Sequence, residues 1–165
     1  MASRKQPSRL NEGDIAPDYE LPDLAGKRHS RSAISVGKPM LLAFYKVNCP
    51  TCQYTFPFLE RMYRGRAKTD IGMYAISQDD PESTREFDKE FGMTLPTLLD
   101  TEEAGYPASN AYGLSHVPSL FLVEPDGRIS QAITGFDKKG MEELGRRLGK
   151  EPFEPGEYVP EWKSG

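Results

Sequence analysis

The stretch Met40-Leu41-Leu42-Ala43-Phe44-Tyr45-Lys46-Val47-Asn48-Cys49-Pro50-Thr51-Cys52 decides how this chain is read. From Met40 to Tyr45 it is apolar without a break, the pattern of a strand buried on both faces. It ends in Cys49-Pro50-Thr51-Cys52, which holds the only two cysteines of the sequence. Beyond it, Phe56, Leu59, Met62 and Tyr63 recur at helical spacing, so the segment from Gln53 to about Arg66 reads as a helix. Pro50 suits a first helical turn, where a missing N–H costs little. Pro57 is expected to interrupt this helix and kink it. A thiol pair therefore stands where a buried strand passes into a helix.

Working outward, Ile71 to Ser77 reads as a second strand. Asp79-Asp80-Pro81-Glu82 starts a second helix, with acids at the positive end of its dipole. Phe87 and Phe91 share one face of that helix, and Gly92 ends it. Thr97 to Asp100 is a short extended piece, and Thr101 to Gly113 is expected to form short helical turns. Ser119 to Glu124 is a third strand. Pro125-Asp126-Gly127-Arg128 has turn chemistry, and Ile129 to Thr134 reads as the returning strand of a hairpin. Asp137 can cap a last helix bearing Met141, Leu144 and Leu148. Upstream, Gly13 to Leu24 reads as an extended edge segment, followed by a turn at Ala25-Gly26-Lys27 and a helical turn over Ser30 to Ile34.

Residues 1–12 are expected to be a flexible arm, 13–149 one domain, and 150–165 a tail pinned through Phe153, Tyr158 or Trp162. Neither an internal repeat nor an interdomain linker is visible. The order strand, helix, strand, helix, hairpin, helix predicts an α/β fold with a mixed central β-sheet between helices.

The totals narrow the function. A chain of 165 residues, 37% hydrophobic and 28% charged, suffices for one real core. A net charge of −4 argues against a nucleic-acid binder. No apolar run approaches the ~20 residues of a membrane helix. The basic, polar residues 1–10 lack the apolar centre of a secretory signal, which points to the cytoplasm. Thiols there are kept reduced, so a C-x-x-C pair is catalytic or metal-binding more often than structural.

The chemistry follows from the placement. A helix N-terminus offers unpaired N–H groups and partial positive charge. C-x-x-C motifs at such ends lower a cysteine pKa from ~8.5 to roughly 3.5–7.5. The thiolate is the attacking species in disulfide exchange. The first cysteine of such a motif is the more exposed, so Cys49 is assigned to attack a partner disulfide and Cys52 to resolve the product. Lys46 adds favourable charge if its side chain turns toward the pair. A zinc site would need two more ligands; the only histidines, His29 and His116, lack the spacing. A structural disulfide closing so short a loop constrains the unfolded chain little.

Taken together, these pieces resemble the thioredoxin-like superfamily, and within it the redoxin group of alkyl hydroperoxide reductase/thiol-specific antioxidant (AhpC/TSA) proteins, nearest to the TlpA-like thiol–disulfide oxidoreductases. The resemblance spans roughly Gly13 to Gly149. It rests on Gly13-Asp14-Ile15-Ala16-Pro17-Asp18, the strand entering Cys49-Pro50-Thr51-Cys52, Pro57, Tyr112-Gly113-Leu114-Ser115-His116-Val117-Pro118-Ser119, and Phe121 to Ile129. It implies a thioredoxin-like fold with Pro118 as a cis proline facing the cysteines. Val117, just before it, is implied to contact substrate and to set preference. It implies a thiol–disulfide oxidoreductase that needs no cofactor or metal. The substrate would be a disulfide-containing protein or a small thiol, and the electron donor of thioredoxin or glutathione type.

The sequence departs from these relatives at the residues that manage protons. Many relatives carry tryptophan before the first cysteine, where this chain has Asn48. Thioredoxins carry a buried aspartate where this chain has Ala43, and TlpA-like proteins often carry glutamate where it has Thr55. His116, two residues before Pro118, is a candidate neighbour of the cysteines or an ordinary loop histidine. Two alternatives stay open. A peroxiredoxin-type peroxidase would use Cys52 as its peroxidatic thiol, but Cys49 and Tyr45 replace the threonine and proline of that motif. A copper-binding module would use Cys49, Cys52 and His116.

Overall fold

Residues 9–34, 36–67 and 70–165 are described by a computed structural model. Most of the arm expected over 1–12 lies outside them. In chain order the elements are β1 (Glu20–Pro22), β2 (Arg28–Ser30), α1 (Arg31–Ile34), β3 (Met40–Tyr45) and α2 (Pro50–Gly65). Then come β4 (Gly72–Ser77), α3 (Pro81–Phe91), β5 (Thr97–Leu99) and α4 (Pro107–Ala111). The chain finishes with β6 (Ser119–Val123), β7 (Ile129–Thr134), β8 (Phe136–Asp137), α5 (Lys138–Leu148) and β9 (Trp162–Lys163).

The central sheet runs β5-β4-β3-β6-β7. β3, β4 and β5 are parallel, while β6 is antiparallel to β3 and β7 to β6. This is the mixed α/β sheet that the element order predicts. β3 is its middle strand, and all six of its residues are buried, as its unbroken apolar run requires.

Alternation along β3 divides the core. Leu41, Ala43 and Tyr45 pack with Cys52, Phe56, Leu59 and Met62 of α2, Phe87 of α3 and Met141 and Leu144 of α5. Met40, Leu42 and Phe44 face the other way, onto Ala16, Tyr19 and Leu21 of the N-terminal segment and Ala108 and Tyr112. Two successive crossovers in the same direction, β3 to β4 and β4 to β5, put α2 and α3 on one face, as right-handed connections demand.

The helix read from Gln53 to about Arg66 is not interrupted at Pro57. α2 continues through it to Gly65, with Pro57 on its exposed face. An interior proline costs about 3 kcal/mol. Phe56, Leu59 and Met62 are each 0% exposed, and at roughly 1.5–3 kcal/mol for each fully buried side chain their packing outweighs that cost. The last residues are also ordered against the fold. Phe153 packs edge-on to Phe58, at 5.1 Å between ring centres. Tyr158 is solvent-exposed, and Trp162–Lys163 pairs with Phe136–Asp137 through its backbone. Among the described residues no helix is long and apolar enough to cross a membrane.

Candidate active site

The carboxyl edge of β3 and β4 holds the thiol pair. β3 delivers the chain into the loop Lys46–Asn48, and two side chains fix that loop at Val47. The Asp79 carboxylate accepts the Val47 N–H at 2.8 Å, and the Gln53 side-chain amide donates to the Val47 carbonyl at 2.9 Å. Asp79 is held in turn by its own N–H donating to Ser77 Oγ at 3.1 Å. The loop that aims Cys49 is thereby tied to β4 and to the first turn of α2.

Cys49 is the N-cap residue of α2, with extended backbone, and Pro50 is the first helical residue. Its Sγ accepts the N–H of Cys52 at 3.2 Å. The sulfur thus sits where a sixteen-residue helix presents its free N–H groups, the end that best holds negative charge. Cys49 is part-exposed and Cys52 fully buried, and both are free thiols. Burial pushes the Cys52 thiol well above its ordinary value; the adjacent Cys49 thiol and the Asp79 carboxylate add to this, and the Lys46 backbone amide opposes it. Cys52 is therefore a protonated thiol at neutral pH, held behind the accessible sulfur.

Facing Cys49 is the loop before β6. The Val117–Pro118 peptide is cis, and the Cys49 thiol donates to the Val117 carbonyl at 3.5 Å. The loop is anchored by Ser119 Oγ donating to the His116 carbonyl at 2.8 Å and by Gly135 N–H donating to the Pro118 carbonyl at 2.8 Å. Beside it opens a cleft of about 510 Å³ whose walls include Lys46, Cys49, Gln78, Ser109, His116 and Val117.

The structure thus brings Cys49, Cys52, Val117 and Pro118 to one place. Lys46 and His116 border the same cleft. The exposed His116 ring is engaged by its neighbour, with Nδ1 2.9 Å from Ser115 Oγ. Among the described residues no three His, Cys, Asp or Glu side chains converge as metal ligands, so Cys49, Cys52 and His116 do not form such a set. Ala43 leaves an apolar floor beside Cys52. The Thr55 hydroxyl is spent inside the helix, donating to the Thr51 carbonyl at 2.7 Å.

The sequence reading missed Asp79 by assigning it with Asp80 to a helix start. Only Asp80 caps α3, accepting the Ser83 N–H at 2.8 Å. A second acid directly after a strand's carboxyl end, with the cap already supplied, was the available signal.

Comparison with known proteins agrees with this geometry. The model of the AhpC/TSA family matches residues 13–132, more than half of the chain. The thiol–disulfide oxidoreductase ResA of Geobacillus thermodenitrificans is 31% identical over 124 residues, covering 74% of this chain and 69% of that protein. The thioredoxin domain of a Bacteroides vulgatus thiol–disulfide oxidoreductase superposes with a TM-score of 0.73 at 22% identity, covering 84% of this chain and 97% of that one. The peroxidoxin BcpB of Mycobacterium tuberculosis shares the fold too, with a TM-score of 0.66 at 20% identity over 77% of this chain and 87% of that one. The fold is thus shared by proteins of both descriptions. With its matched segment running from the N-terminal edge through the thiol pair to β7, the chain belongs to the AhpC/TSA family.

Proposed function

We propose that the thiol–disulfide oxidoreductase activity of this chain runs through Cys49 as the attacking thiolate and Cys52 as the resolving thiol. The observation that carries this reading is the asymmetry of the pair. Cys49 Sγ caps α2 at the edge of the cleft, whereas Cys52 is 0% exposed directly behind it. Cys49 attacks one sulfur of a substrate disulfide and forms a mixed disulfide; the other substrate sulfur leaves as a thiolate and takes a proton. Cys52 then gives up its proton and attacks Cys49 Sγ, releasing the second substrate thiol. The substrate gains two electrons and the protein is left with a Cys49–Cys52 disulfide. One dithiol of thioredoxin type, or two molecules of a glutathione-type thiol that leave as their own disulfide, restores the starting state. The same steps in reverse oxidise a dithiol, and the reduction potential of the pair sets the direction.

Val117 and Pro118 act as the substrate-binding wall. The Val117 carbonyl within 3.5 Å of Cys49 Sγ lies where an extended peptide carrying the target disulfide would be held. The peroxidase reading is disfavoured by the same asymmetry, since its reacting thiol would be Cys52, buried and held protonated. The test is a pair of variants assayed with a protein disulfide and with hydrogen peroxide. Cys49→Ser is expected to abolish exchange and Cys52→Ser to stall it at the mixed disulfide. Peroxide turnover that survives in Cys49→Ser and vanishes in Cys52→Ser would decide for the peroxidase.

A further inference from the structure

The C-terminal segment 161–165 crosses the site. β9 is hydrogen-bonded antiparallel to β8, pairing Phe136 with Lys163 and Asp137 with Trp162. The Lys138 N–H donates to the Glu161 carbonyl at 3.0 Å, which extends the pairing by one bond. The Thr51 hydroxyl, inside the thiol tetrapeptide, donates to the Ser164 carbonyl at 2.5 Å. Lys163 Nζ lies 5.0 Å from the centre of the Tyr54 ring. Gly165 reaches the cleft wall beside Cys49 and Pro50. It lies so close to the Val117 carbonyl that a Cβ there would collide with it.

Gly135 also lacks room for a Cβ, because the Lys163 carbonyl passes over it. The crossing is therefore accommodated by small residues on both sides, at Gly135 and at Gly165. Yet residues 161–165 are all exposed, and Trp162 keeps 60% of its surface in water. The segment is held by backbone and hydroxyl contacts and not by burying its one large side chain. Such contacts are individually weak, so the segment can be displaced.

We propose that residues 161–165 are a displaceable strap that occupies the peptide-binding face at Thr51 and Val117 and competes with an extended peptide for Cys49. This rests on the exchange reading above for its consequence, but not for its geometry. The occupant that fits in its place is an extended polypeptide strand carrying its cysteine among small residues, as Ser164-Gly165 presents them. A small disulfide needs less of that face and is hindered less. The strap thus favours partners that supply enough backbone pairing to displace it.

The test compares the intact protein, a form ending at Pro160, and Gly165→Leu, which keeps the β8–β9 pairing but cannot fit against Val117. Each is labelled with iodoacetamide and with a maleimide carried on an extended peptide, and the labelled site is read by mass spectrometry. Peptide–maleimide labelling of Cys49 is expected to rise about tenfold in both altered forms, roughly the worth of one or two net hydrogen bonds. Iodoacetamide labelling should change less than about twofold. Equal peptide–maleimide rates in all three proteins would overturn the strap. Reduction of a peptide disulfide separates the two ideas. If labelling differs but none of the three proteins reduces it, the strap stands and the exchange reading fails. If all three label and reduce equally, the strap fails and the exchange reading stands.

Discussion

Replacing Asp100 by alanine should cost this protein about 3–5 kcal/mol of stability and loosen one wall of the cleft. Asp100 follows β5 and is 0% exposed. Its carboxylate accepts the N–H of Ala108 at 2.9 Å, the N–H of Ser109 at 2.7 Å and the Ser109 hydroxyl at 2.5 Å. These are the first amides of α4, whose own N-cap, Tyr106, has φ 49° and supplies no side-chain cap. Asp100 therefore does the capping from a distance. A hydrogen bond to a charged group contributes about 1.5–3 kcal/mol net, and a buried donor left unpaired costs about 1–3 kcal/mol. Three such bonds are not additive, which brings the sum to about 3–5 kcal/mol. Against a typical domain stability of about 5–15 kcal/mol, the loss should show as a large fall in the urea midpoint at unchanged slope. Asp100→Asn keeps one acceptor oxygen and should lose about half as much. The Ser109 hydroxyl also receives the Gln78 side-chain amide at 2.8 Å, so the alanine variant should weaken peptide binding at the cleft as well. A loss below about 1 kcal/mol for Asp100→Ala would refute the assignment of Asp100 as the cap of α4.

Phe56 is 0% exposed and packs on Tyr45, with ring centres 4.3 Å apart; Phe56→Ala should cost about 3–5 kcal/mol in chemical denaturation, and a cost under 1 kcal/mol would contradict the packing. Burial, reinforced by the Glu60 charge, raises the Asp88 carboxyl from 3.8 to about 6. Between those values the folded chain holds a proton that the unfolded chain has lost, so this group's stabilising contribution is present below 3.8 and is lost as pH rises to about 6. Asp88→Asn should flatten that fall and stabilise the protein at pH 7 by about 1 kcal/mol, after discounting for partial exposure; an unchanged pH dependence would count against it. Asp79→Asn keeps an acceptor for the Val47 N–H but removes a charge that disfavours the Cys52 thiolate. Resolution of a Cys49 mixed disulfide should then shift to lower pH, whereas a merely structural role would leave the profile in place.

Much of the fold could be read from residues because its strongest elements carry their own signals. β3 is buried on both faces and therefore apolar throughout, and α2 announces itself by the spacing of Phe56, Leu59 and Met62. The thiol pair and Pro118 are conspicuous because each stands at a junction between elements. What escaped reading depends on long-range contacts. Nothing local marks Asp100 as the cap of a helix seven residues later, and the position of Asp79 directly after a strand does not by itself name Val47 as its partner. Trp162–Lys163 forms only a two-residue pairing, too short to show a period, and its partner lies at Phe136–Asp137. The helix read from Gln53 to about Arg66 does run through Pro57; the local penalty of that proline is visible in the sequence, while the packing that outweighs it belongs to the assembled core.

Which sulfur meets the substrate decides the mechanism. The most direct measurement is the site-resolved mass of the adduct formed when Cys52→Ser protein is mixed with a peptide disulfide. The predicted result is a stable mixed disulfide on Cys49, absent from Cys49→Ser protein treated in the same way. An adduct on Cys52 in Cys49→Ser protein, with none on Cys49 in Cys52→Ser protein, would contradict it.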